Sequence, residues 1–345
     1  MLISDFDYEL PEELIAQNPL KKREDSRMLV VNRSTENLQD KYFYDFPLFL
    51  KKDDVIVLNN TKVFPARLFG TSETGAKIEL FLVREIETQT WETLARPARR
   101  LSIGKKILFG ENLSAEVLEK TSEGRVIVRF DVRGNFDAIL EEVGQVPLPP
   151  YIRRDKGISD SDTDKNRYQT VFAKQRGAIA APTAGLHFTP EILSEVKNLG
   201  VTITEITLHV GYGTFEPVRV SDLSEHRVLP ERCEISVETA RILNGAKTEN
   251  RRIIAIGTTT TRALESSIDE NQQISAGSNF ADLTITPGYK FKVVSGLLTN
   301  FHLPQSSLLV LVSTFAGYNL TISAYKYAVG SRYRFYSYGD CMLII

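Results

Sequence analysis

The sequence predicts a mixed α/β body into which a small all-β, barrel-like domain is inserted. Three observations carry that expectation. Beyond Tyr168 the chain alternates helical and strand patterns, the signature of an α/β layer structure. From about Leu68 to Val132 it holds only short β-branched runs separated by turn formers, at the spacing of a small barrel or sandwich. Between the two lies Val146-Pro147-Leu148-Pro149-Pro150, which can continue neither a helix nor a central strand and so marks a seam. The α/β body is expected over 1–67 and 149–345, and the insert over 68–148.

In chain order, Pro11-Glu12-Glu13 predicts a brief helix with acidic residues in its first turn, where the helix dipole favours them. The runs at 27–33 and 53–62 are compact, β-branched and bounded by turn formers, and read as strands. Five strands are expected in the insert, at 76–86, 91–98, 105–110, 115–121 and 124–132. A short helix follows at 136–144. The polar stretch 153–166 reads as a mobile loop. Thr189-Pro190-Glu191 supplies a cap and a proline at the first helical position, and Gly200 closes that helix. Strands are then expected at 201–210, 251–257, 280–286 and 291–299. Helices are expected at 236–249, 261–268, 304–317 and 319–333.

Composition narrows the function. The 345 residues, 42% of them hydrophobic, suffice to bury a sizeable core. A formal net charge of −2 leaves no basic surplus, so any contact with nucleic acid must come from a local patch. By itself that favours a small-molecule enzyme. Cys233 and Cys341 are far apart and read as reduced thiols rather than a disulfide framework. The acidic start MLISDFDYEL is unlike a signal peptide, and the apolar run after Ser307 is shorter than a membrane span. The expected location is the cytoplasm, with no membrane partner.

All four histidines, His187, His209, His226 and His302, lie in the α/β part, without HxxxH or HExxH spacing, so no metal site is expected. Pro182–Thr189 is a loop of small residues before a helix. It reads either as a ligand approach at Thr183 and Gly185 beside His187, or as a tight loop with an ordinary cap. His209 precedes Gly211-Tyr212-Gly213, which lacks the third glycine of a dinucleotide fingerprint and is followed by Pro217. Gly257 to Arg262 runs from a buried strand into a helix. It reads as an anion site, or as a helix start with an Arg262–Glu265 ion pair. Ser224-Glu225-His226-Arg227 combines an acid, an imidazole and a guanidinium. The stretch from Gly296 to Pro304, with His302, ends a strand where α/β folds bind ligands. Residues 332–340 interleave arginine with aromatics, which suits base stacking or a packed terminal strand.

No one motif decides the function, but the ordered set does. PARLFG, LARPxRRL, VPLPPYI, RYQTVFA, APTAGLHFT, TLHVGYGTFEPV, SEHR, IGTTTTRALES, LLTNFHLP and YRFYSYGDCM span the chain. Together they resemble the S-adenosylmethionine:tRNA ribosyltransferase-isomerases of queuosine biosynthesis. The resemblance implies transfer and isomerisation of the ribosyl group of S-adenosylmethionine onto 7-aminomethyl-7-deazaguanine at the tRNA wobble position. Epoxyqueuosine in the tRNA is the implied product, with adenine and methionine released. It also implies an α/β body with a small β-barrel, action as a monomer, and S-adenosylmethionine as co-substrate without a prosthetic group or metal. The chain departs from the family pattern at Leu229, where a second histidine is common, at Thr260 and Thr261, and at Gln305.

That chemistry assigns expected roles. A sulfonium needs electron-rich aromatic faces, offered by Tyr212, Phe215, Tyr289, Tyr333 or Phe335. A carboxylate needs N–H and guanidinium donors, offered by Thr258, Thr259 and Arg262, with Thr183, Gly185 and His302 nearby in the binding loops. Proton transfer falls to His187, Glu225 and His226. Phosphate contacts are expected from Arg96, Arg99, Arg100, Lys105 and Lys106 of the insert, from Arg67 just before it, and from Arg153 and Arg154 at the seam. Two other readings stand beside this one. One is a small-molecule transferase using the threonine-rich anion site. The other is a non-catalytic RNA-binding protein with the barrel as its platform.

Overall fold

The computed structural model describes residues 1–154, 162–215 and 218–345, with Asp162, Thr214 and Phe215 as backbone only. A nine-stranded mixed sheet forms the α/β body. Its order is Gly277–Ala281, Glu231–Ile235, Thr202–Leu208, Val55–Asn59, Ile253–Ile256, Gly296–Asn300, Cys341–Ile344, Arg27–Asn32, Asn37–Tyr42. The run from Thr202–Leu208 to Gly296–Asn300 is parallel. Every residue of Val55–Asn59, Ile253–Ile256 and Gly296–Asn300 is buried. Such fully buried, mostly apolar strands are what a parallel sheet covered on both faces requires.

Helices Val237–Thr248, Thr258–Ser266 and Ser307–Ala316 follow strands of this sheet. Ser236 and Ser306 cap the first and last by accepting from Thr239 and Leu309 N–H, and Thr189 caps Pro190–Asn198. Leu309, Val310, Leu311, Val312 and Phe315 are buried in the core. A 117° bend separates their helix from Tyr318–Gly330. Among the described residues no single helix is long and apolar enough to cross a membrane.

Six antiparallel strands close into a barrel: Arg67–Ser72, Lys77–Glu87, Thr90–Arg96, Val126–Val132, Leu113–Lys120 and Lys106–Leu108, which returns to pair with the first. Alternation in Leu113–Lys120 and Lys77–Glu87 sends Leu113, Ala115, Val117, Ile78, Leu80 and Leu82 inward. At about 25 cal/mol per Å² of apolar surface removed from water, this separate interior is a substantial stabilising core. Helix Phe136–Val143, capped by Asn135, covers one end with Ile139 and Leu140.

Several expectations are revised. The helix at Pro11 is one 3-10 turn, Glu12–Leu14, because the chain at Ile15 is drawn into a bridge with Phe335. Within the stretch expected as a mobile loop, Asp162–Arg167 is helical. It is anchored by Asp164, which accepts from Arg154 at 2.7 and 2.8 Å and from the Tyr338 hydroxyl. Residues 155–161 of that stretch lie outside the described residues. The strand expected at 291–299 starts only at Gly296. The N–H groups of Lys292, Val293 and Val294 turn instead to the buried carboxylate of Glu265. The expected strand at 280–286 ends at Ala281. Cys341–Ile344, unforeseen, is an inner strand joining the amino-terminal pair to the rest of the sheet.

Candidate active site

A cavity of about 540 Å³ opens beyond the carboxyl ends of the parallel strands. That is where α/β sheets bind ligands, and the volume suits a cofactor-sized molecule. Each wall follows from a chain reversal. Strand Ile253–Ile256 ends at Gly257, whose φ of 98° only glycine adopts without strain. The chain then enters helix Thr258–Ser266 with no side chain capping it. The first N–H groups of a helix have no partner within it, so they are offered, with Thr258 and Thr259, to the cavity. Thr260 and Thr261 turn away, their hydroxyls donating to Ile256 O and Gly257 O.

Arg262 lines the same wall but is committed. Its Nη1 donates to Glu231 Oε2 at 2.8 Å and its Nη2 to Ala281 O at 2.8 Å. Glu231 also accepts the Gly211 N–H. The pair therefore ties the threonine helix to the outer strands, and the guanidinium is not free to clamp a carboxylate. The alternative Arg262–Glu265 ion pair does not form. Glu265 accepts from three backbone N–H groups and from Tyr289, which removes Tyr289 from the cavity wall.

Two loops complete the chamber. Glu225 and His226 face it, with His226 Nε2 2.7 Å from Ser307 Oγ at the next helix start. Burial, then the positive charges of Arg227 and Arg262, hold the His226 pKa below its ordinary value. The stretch after strand Gly296–Asn300 contributes Thr299, Asn300, Phe301 and His302. His302 Nε2 lies 2.8 Å from Thr299 Oγ1, and burial pulls this imidazole down to about 3, so it stays neutral. Thr183 lines the opposite wall.

His187 lies behind that wall. Its Nε2 is 3.1 Å from Asn300 Oδ1, and Asn300 itself reaches the cavity and donates to Tyr336 O. Burial, partly offset by Asn300, brings His187 to about 4. Gly185 is small for packing: a Cβ there would stand 2.7 Å from the Phe172 ring. His209 sits outside the chamber with Nδ1 2.8 Å from Thr61 Oγ1.

The aromatic wall is not the expected one. Tyr212 packs against Phe81 of the barrel, with Arg125 over its ring. Tyr333 is fully buried under Arg27 and donates to Asp40, and Phe335 is buried among Tyr8, Phe301 and Tyr325. The Phe215 side chain lies outside the described residues. Tyr151 and Tyr336 border the chamber instead, with Tyr168 and Phe301 almost fully buried behind its lining. Tyr336 is held at φ 72°, a strained setting for a bulky residue, and its buried hydroxyl has no partner among the described residues.

A sequence model of the queuosine biosynthesis protein family matches residues 3–344. The chain belongs to that family. Relatives named S-adenosylmethionine:tRNA ribosyltransferase-isomerase share 48% identity in Desulforamulus reducens and 49% in Syntrophotalea carbinolica, in each case over the whole of both chains. The crystal structure of an S-adenosylmethionine tRNA ribosyltransferase from Thermotoga maritima matches with a TM-score of 0.56 at 36% identity. It covers 99% of this chain and all of that one.

Leu229 and Gln305, two positions expected to depart from the family pattern, line the chamber. Of the basic residues expected to meet nucleic acid, Arg96, Arg99 and Arg100 are exposed around one barrel turn, where Lys105 donates to Arg100 O. Arg67 is paired with Glu79, Arg153 with Glu12 and Arg154 with Asp164. Among the described residues no three His, Cys, Asp or Glu side chains are grouped for a metal. Tyr151, Tyr168, Asn300, Ser307 and Tyr336 were not singled out from sequence. Four of them sit in the blocks VPLPPYI, RYQTVFA, LLTNFHLP and YRFYSYGDCM, so the signal was present without a role attached.

Proposed function

We propose that this chain transfers and isomerises the ribosyl moiety of S-adenosylmethionine onto 7-aminomethyl-7-deazaguanine at the tRNA wobble position, yielding epoxyqueuosine in the tRNA with release of adenine and methionine. It does so as a cytoplasmic monomer without a metal. The observation that carries the reading is the chamber built from the family's own motif blocks, with an uncapped helix start on one wall and Tyr151 and Tyr336 on another.

The residues divide the work by chemistry. The uncapped first turn of Thr258–Ser266, with Thr183, receives the methionine carboxylate. Arg262, neutralised by Glu231, holds that helix in place rather than touching the ligand. The rings of Tyr151 and Tyr336 meet the sulfonium. A carbanion must form at the 5′ carbon beside the sulfonium, and the neutral imidazole of His226, next to Glu225, is the proton acceptor within reach of the chamber. His187 acts one shell out, orienting Asn300. The substrate's aminomethyl group titrates near the lysine value of roughly 10 and must be neutral to attack, which burial in this apolar-walled chamber favours.

The test is adenine release. Purified protein is mixed with S-adenosylmethionine and tRNA bearing the aminomethyl-deazaguanine base, and each substrate is omitted in turn. Release is expected only when both are present. Release without tRNA points to a small-molecule transferase, and tRNA binding without any release points to an RNA-binding protein.

A further inference from the structure

Across Ser337 from the chamber lies a second, shallow depression, bordered by Lys22, Arg23, Arg167, Leu186, His187 and Tyr338. Ser337 lines both. The depression holds about 20 Å³, room for a group the size of a water and not for a whole ligand. Its charge is unusual. Arg23 donates to Leu186 O at 2.9 Å and Asn166 O at 3.1 Å, and Arg167 Nη1 donates to Lys21 O at 3.0 Å. Neither guanidinium has a carboxylate partner among the described residues. Arg167 Nε and Arg334 Nη1 are buried with no hydrogen-bond partner.

The nearby acids are already engaged. Asp164 is taken by Arg154 and Tyr338, and Asp340 accepts the backbone N–H groups of Arg27 and Arg334. The like charges act on one another. Burial and then Arg167 pull Arg23 down to about 10, and Arg23 and Arg334 both disfavour a proton on His187. Half-buried guanidinium groups that rest on backbone carbonyls and keep buried N–H donors unused favour an added anion. An anion too large to enter must present one edge, as a phosphodiester does.

We propose that Lys22, Arg23 and Arg167, with Arg334 nearby, hold an RNA backbone phosphate on the face of the body that shares Ser337 with the chamber. This rests on the transferase reading above, and it gives tRNA contact to the body in addition to the barrel. The local patch supplies what a chain of net charge −2 lacks overall.

The test compares wild type with Lys22→Gln/Arg167→Gln. Affinity for an anticodon stem-loop RNA is measured across a salt series, and KM is measured for S-adenosylmethionine. The double variant is expected to bind RNA about tenfold more weakly. The slope of log affinity against log salt should fall by about 0.7 for each lost single-strand phosphate contact. KM for S-adenosylmethionine should not change. Should the double variant melt early, the exposed Lys22→Gln alone must still flatten the slope, and Arg167→Lys must largely restore binding. An unchanged slope in a variant of wild-type stability overturns this site alone, as does a loss confined to KM for S-adenosylmethionine. Wild-type protein that fails to bind the RNA overturns the transferase reading and this site with it.

Discussion

In the proposed reaction His226 is the residue on which the chemistry turns. Its Nε2 meets Ser307 Oγ at 2.7 Å, it faces the chamber beside Glu225, and burial, Arg227 and Arg262 all disfavour its charged form. An imidazole with a lowered pKa is neutral at pH 7 and accepts a proton; it is lost as a base only when pH falls through that lowered value. The acid limb of kcat/KM is therefore expected below the ordinary histidine value of about 6.5. His226→Ala should cost about a hundredfold or more in turnover and abolish that limb. Near-normal turnover in that variant would remove His226 from the chemistry. SEHR drew attention to this loop by packing unlike charges together, and the structure places it at the chamber. The partner of His226 was not legible, since Ser307 lies 81 positions away and only the fold brings the two together.

At the scale of elements, helix Thr258–Ser266 shows what sequence does and does not disclose. The strand–turn–helix at Gly257 was readable from a buried run, a glycine and a threonine series, because local geometry fixes it. The commitment of Arg262 was not, since Glu231 and Ala281 come from strands distant in sequence. Arg262→Ala removes the guanidinium that links Glu231 to Ala281 O, and is expected to destabilise the fold by about 1–3 kcal/mol. Arg262→Ala/Glu231→Gln should recover part of that, as read by chemical denaturation of both variants. Equal stability of Arg262→Ala and wild type would mean the pair is not the tie described. The same limit hid the strand Cys341–Ile344. Residues 332–340 carry enough aromatic content to suggest a strand themselves, yet they wrap as a buried loop, and the pairing partners of the strand beyond them lie at both ends of the chain. Glu265 likewise draws 292–294 out of a ladder their composition favours.

At the scale of the molecule, a nearly neutral chain presents two localised basic surfaces, one at the barrel turn of Arg96, Arg99 and Arg100 and one at Lys22, Arg23 and Arg167, with the chamber in the body. The division into body and barrel was readable because β-only and alternating patterns occupy separate stretches. The aromatic wall differs from the expected one because aromatics pack cores as readily as they bind cations: Tyr333 is buried away from the chamber, whereas Tyr336 borders it. The most direct measurement of what this arrangement does is the fate of ribose carbon. S-adenosylmethionine labelled in its ribose is incubated with the protein and tRNA carrying 7-aminomethyl-7-deazaguanine, beside a sample labelled in the methyl group. Ribose label is expected in the tRNA, at the wobble nucleoside, and methyl label is expected to remain with methionine. Methyl label in the tRNA, or ribose label left wholly in small molecules while the protein is folded and binds both substrates, would contradict ribosyl transfer.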